Sequence, residues 1–236
     1  FGDLPIDEAV DTVLAHSVHL DGIRIQKGRV LTNDDIERFR AAGIKSIVAA
    51  RLEDDDVSEN IAAERIGQTL QCGSVEIAEP STGRVNIFAK SDGLCVIDNA
   101  RINQVNAAHE SMTIATVPPY EPVTAGQLIA TVKIIPFAVP LSQLTVVLQL
   151  MNTKPGALSI HPFQPRTVGV VFSELPTVPF KGKEKAIRVL ESRLKQLSGT
   201  INEMVTCRHE AGAVAVAIET LLGRRCDLVL LFGASA

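Results

Sequence analysis

The chain has 236 residues, 46% of them hydrophobic, enough for one large domain or two to three smaller ones with cores of their own. Twenty-three basic residues against 27 acidic ones give a net charge of −4, which argues against nucleic acid or an anionic membrane as the main partner. No apolar run approaches the roughly 18 residues of a membrane span, and the opening "FGDLP" has neither the basic nor the apolar region of a secretory signal.

That opening lacks a Met and reads as a processed or excised start. Cys72, Cys95, Cys207 and Cys226 show no C-x-x-C spacing, so reduced thiols in a cytoplasmic protein are expected rather than disulfides or a zinc site. Aromatic residues make up 4% of the chain and Trp is absent, which leaves no base-stacking platform for single-stranded nucleic acid.

In chain order, "PIDEAVDTVLAHSV" (5–18) predicts a helix with Ile6, Val10, Val13, Leu14 and Val18 on its apolar side and acids in the first turn. Next, Thr32 or Asn33 caps a helix over 34–42 that Gly43 closes, and "IKSIVAAR" (44–51) follows as a strand. Asp54, Asp55 and Asp56 read as a solvated loop or helix start before "VSENIAAERIGQTL", not as a metal site. From 72 to 139, glycines and prolines punctuate short β-branched runs, the texture of a β-rich module. "PLSQLTVVLQLMN" then reads as a helix, with a strand as the alternative.

After "SIHPFQP" the pattern becomes strand (167–175), amphipathic helix (182–199), strand ("TINEMVTCRH"), helix ("EAGAVAVAIETLLGRR") and strand ("CDLVLLFGASA"). The expected fold is therefore α/β and multi-domain. It comprises a helix/strand region over 1–71, a β-rich module over 72–163 and a doubly wound parallel-sheet domain over 164–236. Three strands and two helices leave that last sheet short, so it is expected to be incomplete, truncated after Ala236, or covered by a second copy.

Ligands of open parallel sheets sit beyond the carboxyl ends of the strands. Here those ends carry Ser173-Glu174, His209-Glu210 and Gly233-Ala234-Ser235. Small residues let a phosphate approach backbone N–H groups, and a Ser235 hydroxyl adds a donor. His209 and Glu210 either cap the following helix or hydrogen-bond a polar heterocycle or its phosphate. Arg84, close to Asn86, Asn103 and Asn106, fits an anionic or pterin-like ligand, or an interdomain ion pair. Lys133 interrupts the apolar run "ATVKIIPFAV" and either snorkels or faces a ligand. His16 and His19 share a face of the expected first helix without a third metal ligand, and nucleophilic catalysis has no support beyond residue types.

The order "KGRVLTNDDIERFRAAGIKSIVAARLEDDDV", "TGRVNIFA", "TIATVPPYEPVTAGQLIATVKIIPFAV" and an α/β unit ending "DLVLLFGASA" resembles the molybdopterin-binding proteins of the MoeA and MogA type in molybdenum-cofactor biosynthesis. Within that group the resemblance is to a bacterial branch in which such a region precedes a nucleotidyltransferase-like domain. It covers essentially the whole chain and implies that the C-terminal third binds molybdopterin or its nucleotide form. The cofactor's phosphate would lie at Gly233, Ala234 and Ser235, and Glu210 would meet the pterin ring.

The resemblance further implies molybdate insertion with Mg2+, Glu174 serving as metal ligand and catalytic group, a nucleotidyltransferase domain or protein as partner, and a homodimer. Three loops depart from the family pattern. A single glycine stands in the last one, Ser173-Glu174-Leu175-Pro176 replaces a Thr-Gly-Asp-Glu turn, and His209-Glu210 keeps one acid. These departures also fit a non-catalytic module that holds or senses molybdopterin. A dimeric scaffold that binds nothing is the remaining reading.

Overall fold

The computed structural model describes residues 1–20, 22–176 and 182–233, which divide into two compact units, Phe1–His161 and Pro162–Ala236. In the first unit the chain begins with β1 (Gly2–Pro5), a single 3-10 turn (Ile6–Glu8), β2 (Val13–Leu14), β3 (Val18–Leu20) and β4 (Ile23–Ile25). The helix expected over 5–18 is therefore absent. Asp11 takes a left-handed φ of 60°, which no continuing helix allows, and the buried Thr12 hydroxyl donates to the Ala9 carbonyl at 2.6 Å. The apolar spacing is still used, because Ile6 and Leu14 enter a core with Leu31, Ile36, Phe39 and Ile47. Without that helix His16 and His19 share no face; His19 lies on β3, opposite Arg24.

Next come α1 (Asn33–Ala41) and β5 (Ser46–Ala50), with β5 pairing antiparallel to both β1 and β2. Thr32 caps α1 through a full capping box with Asp35, and Gly43 follows the helix at φ 72°. Asp35 also takes Arg29 Nε at 2.8 Å while its own side chain is 1% exposed.

Burial by itself would raise the Asp35 carboxyl. The hydrogen bonds from Arg29 and from Thr32 outweigh it and hold the group below its ordinary value of 3.8. A carboxylate held low contributes stability above that ordinary value and loses it as pH falls through the folded one. Asp35→Ala is thus expected to cost about 1–2 kcal/mol near pH 7. In urea titrations the gap between parent and variant should narrow only under acid, below pH 3.8.

The rest of the first unit is β6 (Asp56–Ser58), α2 (Glu59–Thr69), β7 (Val75–Ile77), β8 (Arg84–Ala89), β9 (Gly93–Ile97), α3 (Asn99–Ala108), β10 (Met112–Thr116), β11 (Glu121–Val123), β12 (Leu128–Ile134), β13 (Ala138–Pro140), α4 (Leu141–Met151) and β14 (Leu158–Pro162). Its largest sheet has the order β10-β12-β8-β7 and is antiparallel throughout. Val85, Ile87, Val132 and Ile134 of that sheet join Ile66 of α2 and Val105 of α3 in one buried core.

The second unit contains β15 (Arg166–Glu174), α5 (Lys183–Gln196), β16 (Gly199–Arg208), α6 (Ala211–Gly223) and β17 (Leu228–Phe232). The strands are parallel in the order β16-β15-β17. Val168, Val170 and Phe172 pack with Leu194 and Leu190 of α5, whereas Val171 packs with Ala217 and Leu221 of α6. Successive side chains of β15 thus go to different helices, as the period of a strand requires.

The expectation of an α/β chain built on a doubly wound parallel sheet is corrected by this architecture. The described residues form a mixed fold of six α-helices and 17 strands in several small, mostly antiparallel sheets, and the parallel one has three strands. The reason is local pattern: strands and helices alternate strictly one for one only after residue 162, while before it four α-helices are set among short strands that mostly pair antiparallel. Among the described residues no helix is long and apolar enough to cross a membrane. All four cysteines are free thiols, and burial, with a smaller push from Cys72, raises Cys95 to about 11.

Candidate functional site

Parallel pairing carries the carboxyl ends of β15, β16 and β17 to the same edge of their sheet. Ser173 is fully buried there, with its Oγ 2.9 Å from His209 Nδ1 and donating to the Phe232 carbonyl at 3.4 Å. His209 N–H donates to the Glu174 carbonyl at 2.9 Å, so the backbone of one strand end fixes the next. At the third end, a Cβ placed on Gly233 would lie 3.8 Å from His209 Cε1.

Three chain segments far apart in sequence thus converge on one imidazole. Ser173 engages Nδ1 and sets the ring orientation, leaving Nε2 as the hydrogen-bonding atom available to a ligand. Such a hydroxyl is a positioning group.

Beside these strand ends lies a cavity of about 700 Å3 lined by Glu174, Leu175, Pro176, Thr206, Cys207 and Arg208. Glu174, implied by the resemblance as a metal ligand, has Lys183 Nζ 3.9 Å from its Oε1. Lys183 also donates to Thr206 Oγ1 at 2.6 Å and stands 4.7 Å from the centre of the Phe172 ring. Among the described residues no three His, Cys, Asp or Glu side chains gather as a metal site. Glu210 is exposed and precedes α6 as its N-cap without a side-chain capping bond.

Arg208 and Lys183 escaped the reading of the sequence. Arg208 lines the cavity and is exposed, and the signal for it was adjacency to His209 at the end of a strand. A guanidinium, an ammonium and an oriented imidazole near one strand edge are suited to an anion, above all a phosphate. The donor set therefore fits the phosphate of the implied cofactor. Ala234 and Ser235, expected to hold that phosphate, lie outside the described residues.

Arg84 and Lys133 belong to the first unit, where the register of β8 and β12 sets them opposite each other. Lys133 Nζ donates to the Thr82 carbonyl at 2.5 Å. The nearby amides serve the fold: Asn106 exchanges two hydrogen bonds with the Ile114 backbone, and Asn86 Oδ1 accepts from the Thr131 hydroxyl at 3.1 Å.

A family described as a domain of unknown function (DUF8806) matches residues 3–51, the segment from β1 through β5. No curated protein matches the chain, and no solved structure does.

Proposed function

We propose that the second unit binds molybdopterin or its nucleotide form at the carboxyl ends of its three parallel strands, and that the protein handles this cofactor in the cytoplasm during molybdenum-cofactor assembly. The observation that carries the reading is the convergence of Ser173, His209 and Phe232-Gly233 at one edge, with the 2.9 Å Ser173–His209 contact at its centre. Arg208, on the cavity wall, supplies the positive charge a phosphate needs. The pterin component comes from the sequence resemblance, and the phosphate component is what the side chains favour.

A binding module is the form of this function that Glu174 favours over molybdate transfer. Its carboxylate shares its surroundings with the Lys183 ammonium, which competes with a divalent cation for the same oxygen. Partnership with a nucleotidyltransferase and a homodimeric state are parts of the same proposal.

The test is a molybdopterin titration followed by pterin fluorescence anisotropy, in a chain whose lack of Trp keeps the background low. The parent should saturate, and Arg208→Glu should weaken binding at least tenfold, because a carboxylate then repels the phosphate. A parent that never saturates overturns the proposal. Mg2+-dependent turnover of adenylylated molybdopterin would replace the binding module with a transferase.

A further inference from the structure

The first unit contains a separate polar cavity of about 480 Å3, walled by Arg24, Lys27, Arg29, Glu59, Asn60 and Thr82 among others. Its cations are unequally committed. Arg29 is held by Asp35, and Arg24 donates to Ser17 Oγ at 3.3 Å. Among the described residues Lys27 makes no ion pair, and its Nζ stands 5.8 Å from the centre of the Phe137 ring. Lys133, bound to the Thr82 carbonyl, adds a further positive charge at the Thr82 side.

One carboxylate, Glu59, belongs to this group. Among the described residues its side-chain oxygens make no hydrogen bond or ion pair, while its backbone N–H donates to the Phe137 carbonyl at 2.8 Å. Burial pushes its carboxyl above the ordinary range, while Lys133 and then Lys27 pull it back through space. Burial in turn lowers the Lys133 ammonium, against the attraction of Glu59.

Two glycine backbones seat this carboxylate, and both are left-handed: Gly28 at φ 82° and Gly83 at φ 67°. A Cβ on Gly83 would fall 2.7 Å from Glu59 Oε2 and 2.9 Å from the Ile134 carbonyl oxygen, and one on Gly28 would fall 3.4 Å from Glu59 Oε1. Asn60 Oδ1 accepts from the Gly83 N–H at 2.9 Å and ties the turn to the start of α2. Any other residue at Gly83 would be strained by its φ and would displace the carboxylate. The sequence therefore holds a partly desolvated acceptor in a defined place, beside Lys27 and Arg24, which form no ion pair among the described residues.

We propose that this cavity binds a small phosphorylated polyol, with its phosphate on Lys27 and Arg24 and a hydroxyl donating to Glu59. Phosphate matches adjacent cations better than a single carboxylate does, and an acceptor without a protein donor matches a hydroxyl. The lining is mostly polar, with amides and hydroxyls and little apolar surface, which suits a polyol and not a nucleobase. Arg24 to Arg29 lie inside the segment matched by the family of unknown function, and the opposite wall lies outside it. The proposal concerns the first unit alone and does not rest on the pterin reading.

The test follows the Gly28 and Gly83 amides of the full chain by two-dimensional NMR during additions of inorganic phosphate and of glycerol 3-phosphate. Both probes should shift these amides saturably, with glycerol 3-phosphate binding at least tenfold tighter. Lys27→Glu, at an exposed position, should weaken both at least tenfold. Glu59→Gln should remove the preference for the polyol phosphate and leave inorganic phosphate binding in place. Arg208→Glu should change neither. Absence of saturation at millimolar probe, an unchanged response in Lys27→Glu, or an unchanged preference in Glu59→Gln overturns the proposal.

Discussion

Gly93→Ala is expected to destabilise the first unit by about 3 kcal/mol, the upper end of the usual cost of overpacking. Gly93 opens β9 and is paired with Val123 of β11. A Cβ there would stand 2.5 Å from the His161 carbonyl oxygen and 2.9 Å from its carbon. Both are backbone atoms of β14, so no rotamer change relieves the clash and a strand must move. The same Cβ would meet Ile160 Cγ2 at 2.8 Å, and Ile160 belongs to the unit's main core. Urea denaturation followed by circular dichroism should show a lower midpoint with an unchanged slope. A midpoint equal to the parent's would mean that β14 yields freely at this point.

The sequence was most legible where chemistry and periodicity agree. Thr32 or Asn33 and then Gly43 mark the two ends of α1, and Thr32 is the cap, because capping and left-handed closure depend on residue type within a single turn. The helix α3 was overlooked inside the β-rich stretch. Only Ile102 and Val105 among its residues are buried, which gives almost no helical stripe, although Asp98 caps it by accepting from the Arg101 N–H. The false helix over 5–18 shows the opposite error, a helical spacing interrupted by a left-handed Asp11 that no local residue pattern announced.

The candidate site divides in the same way. Ser173, His209 and Gly233 were reachable by reading along the chain, since each lies at the carboxyl end of a strand. Adjacency to His209 pointed to Arg208, but its place opposite Glu174 required the register between strands, and Lys183 required the packing of α5 beside β15 and β16. Arg166 pairs with Gly199, an offset of 199 − 166 = 33, but Gly169 pairs with Glu203, an offset of 203 − 169 = 34. The irregularity between Val168 and Gly169 shifts every later pair by one, which sets Arg208 and not Cys207 opposite Glu174. Nothing in a single strand's composition encodes that step.

Phe172→Ala is expected to have the largest effect of all, unfolding most of the second unit. The side chain is fully buried and stacks on Phe232 with 5.0 Å between ring centres, which joins the central strand β15 to β17. Truncating a buried Phe costs about 3–5 kcal/mol, partly through lost transfer energy and partly through the cavity left behind. The unit spans Pro162–Ala236, or 236 − 161 = 75 residues, and a core of that size rarely supplies more than about 3–5 kcal/mol. Loss and total are therefore equal to within their spread.

Hydrogen exchange read peptide by peptide should show protection of 166–174 and 199–208 falling towards that of an unfolded chain. Phe172→Leu, which keeps most of the volume, should retain it. Protection that survives in Phe172→Ala would show that the sheet is held mainly by the α6 face, through Val171, Ala217 and Leu221, and that the stacked rings serve the strand edge and its ligand site more than the fold.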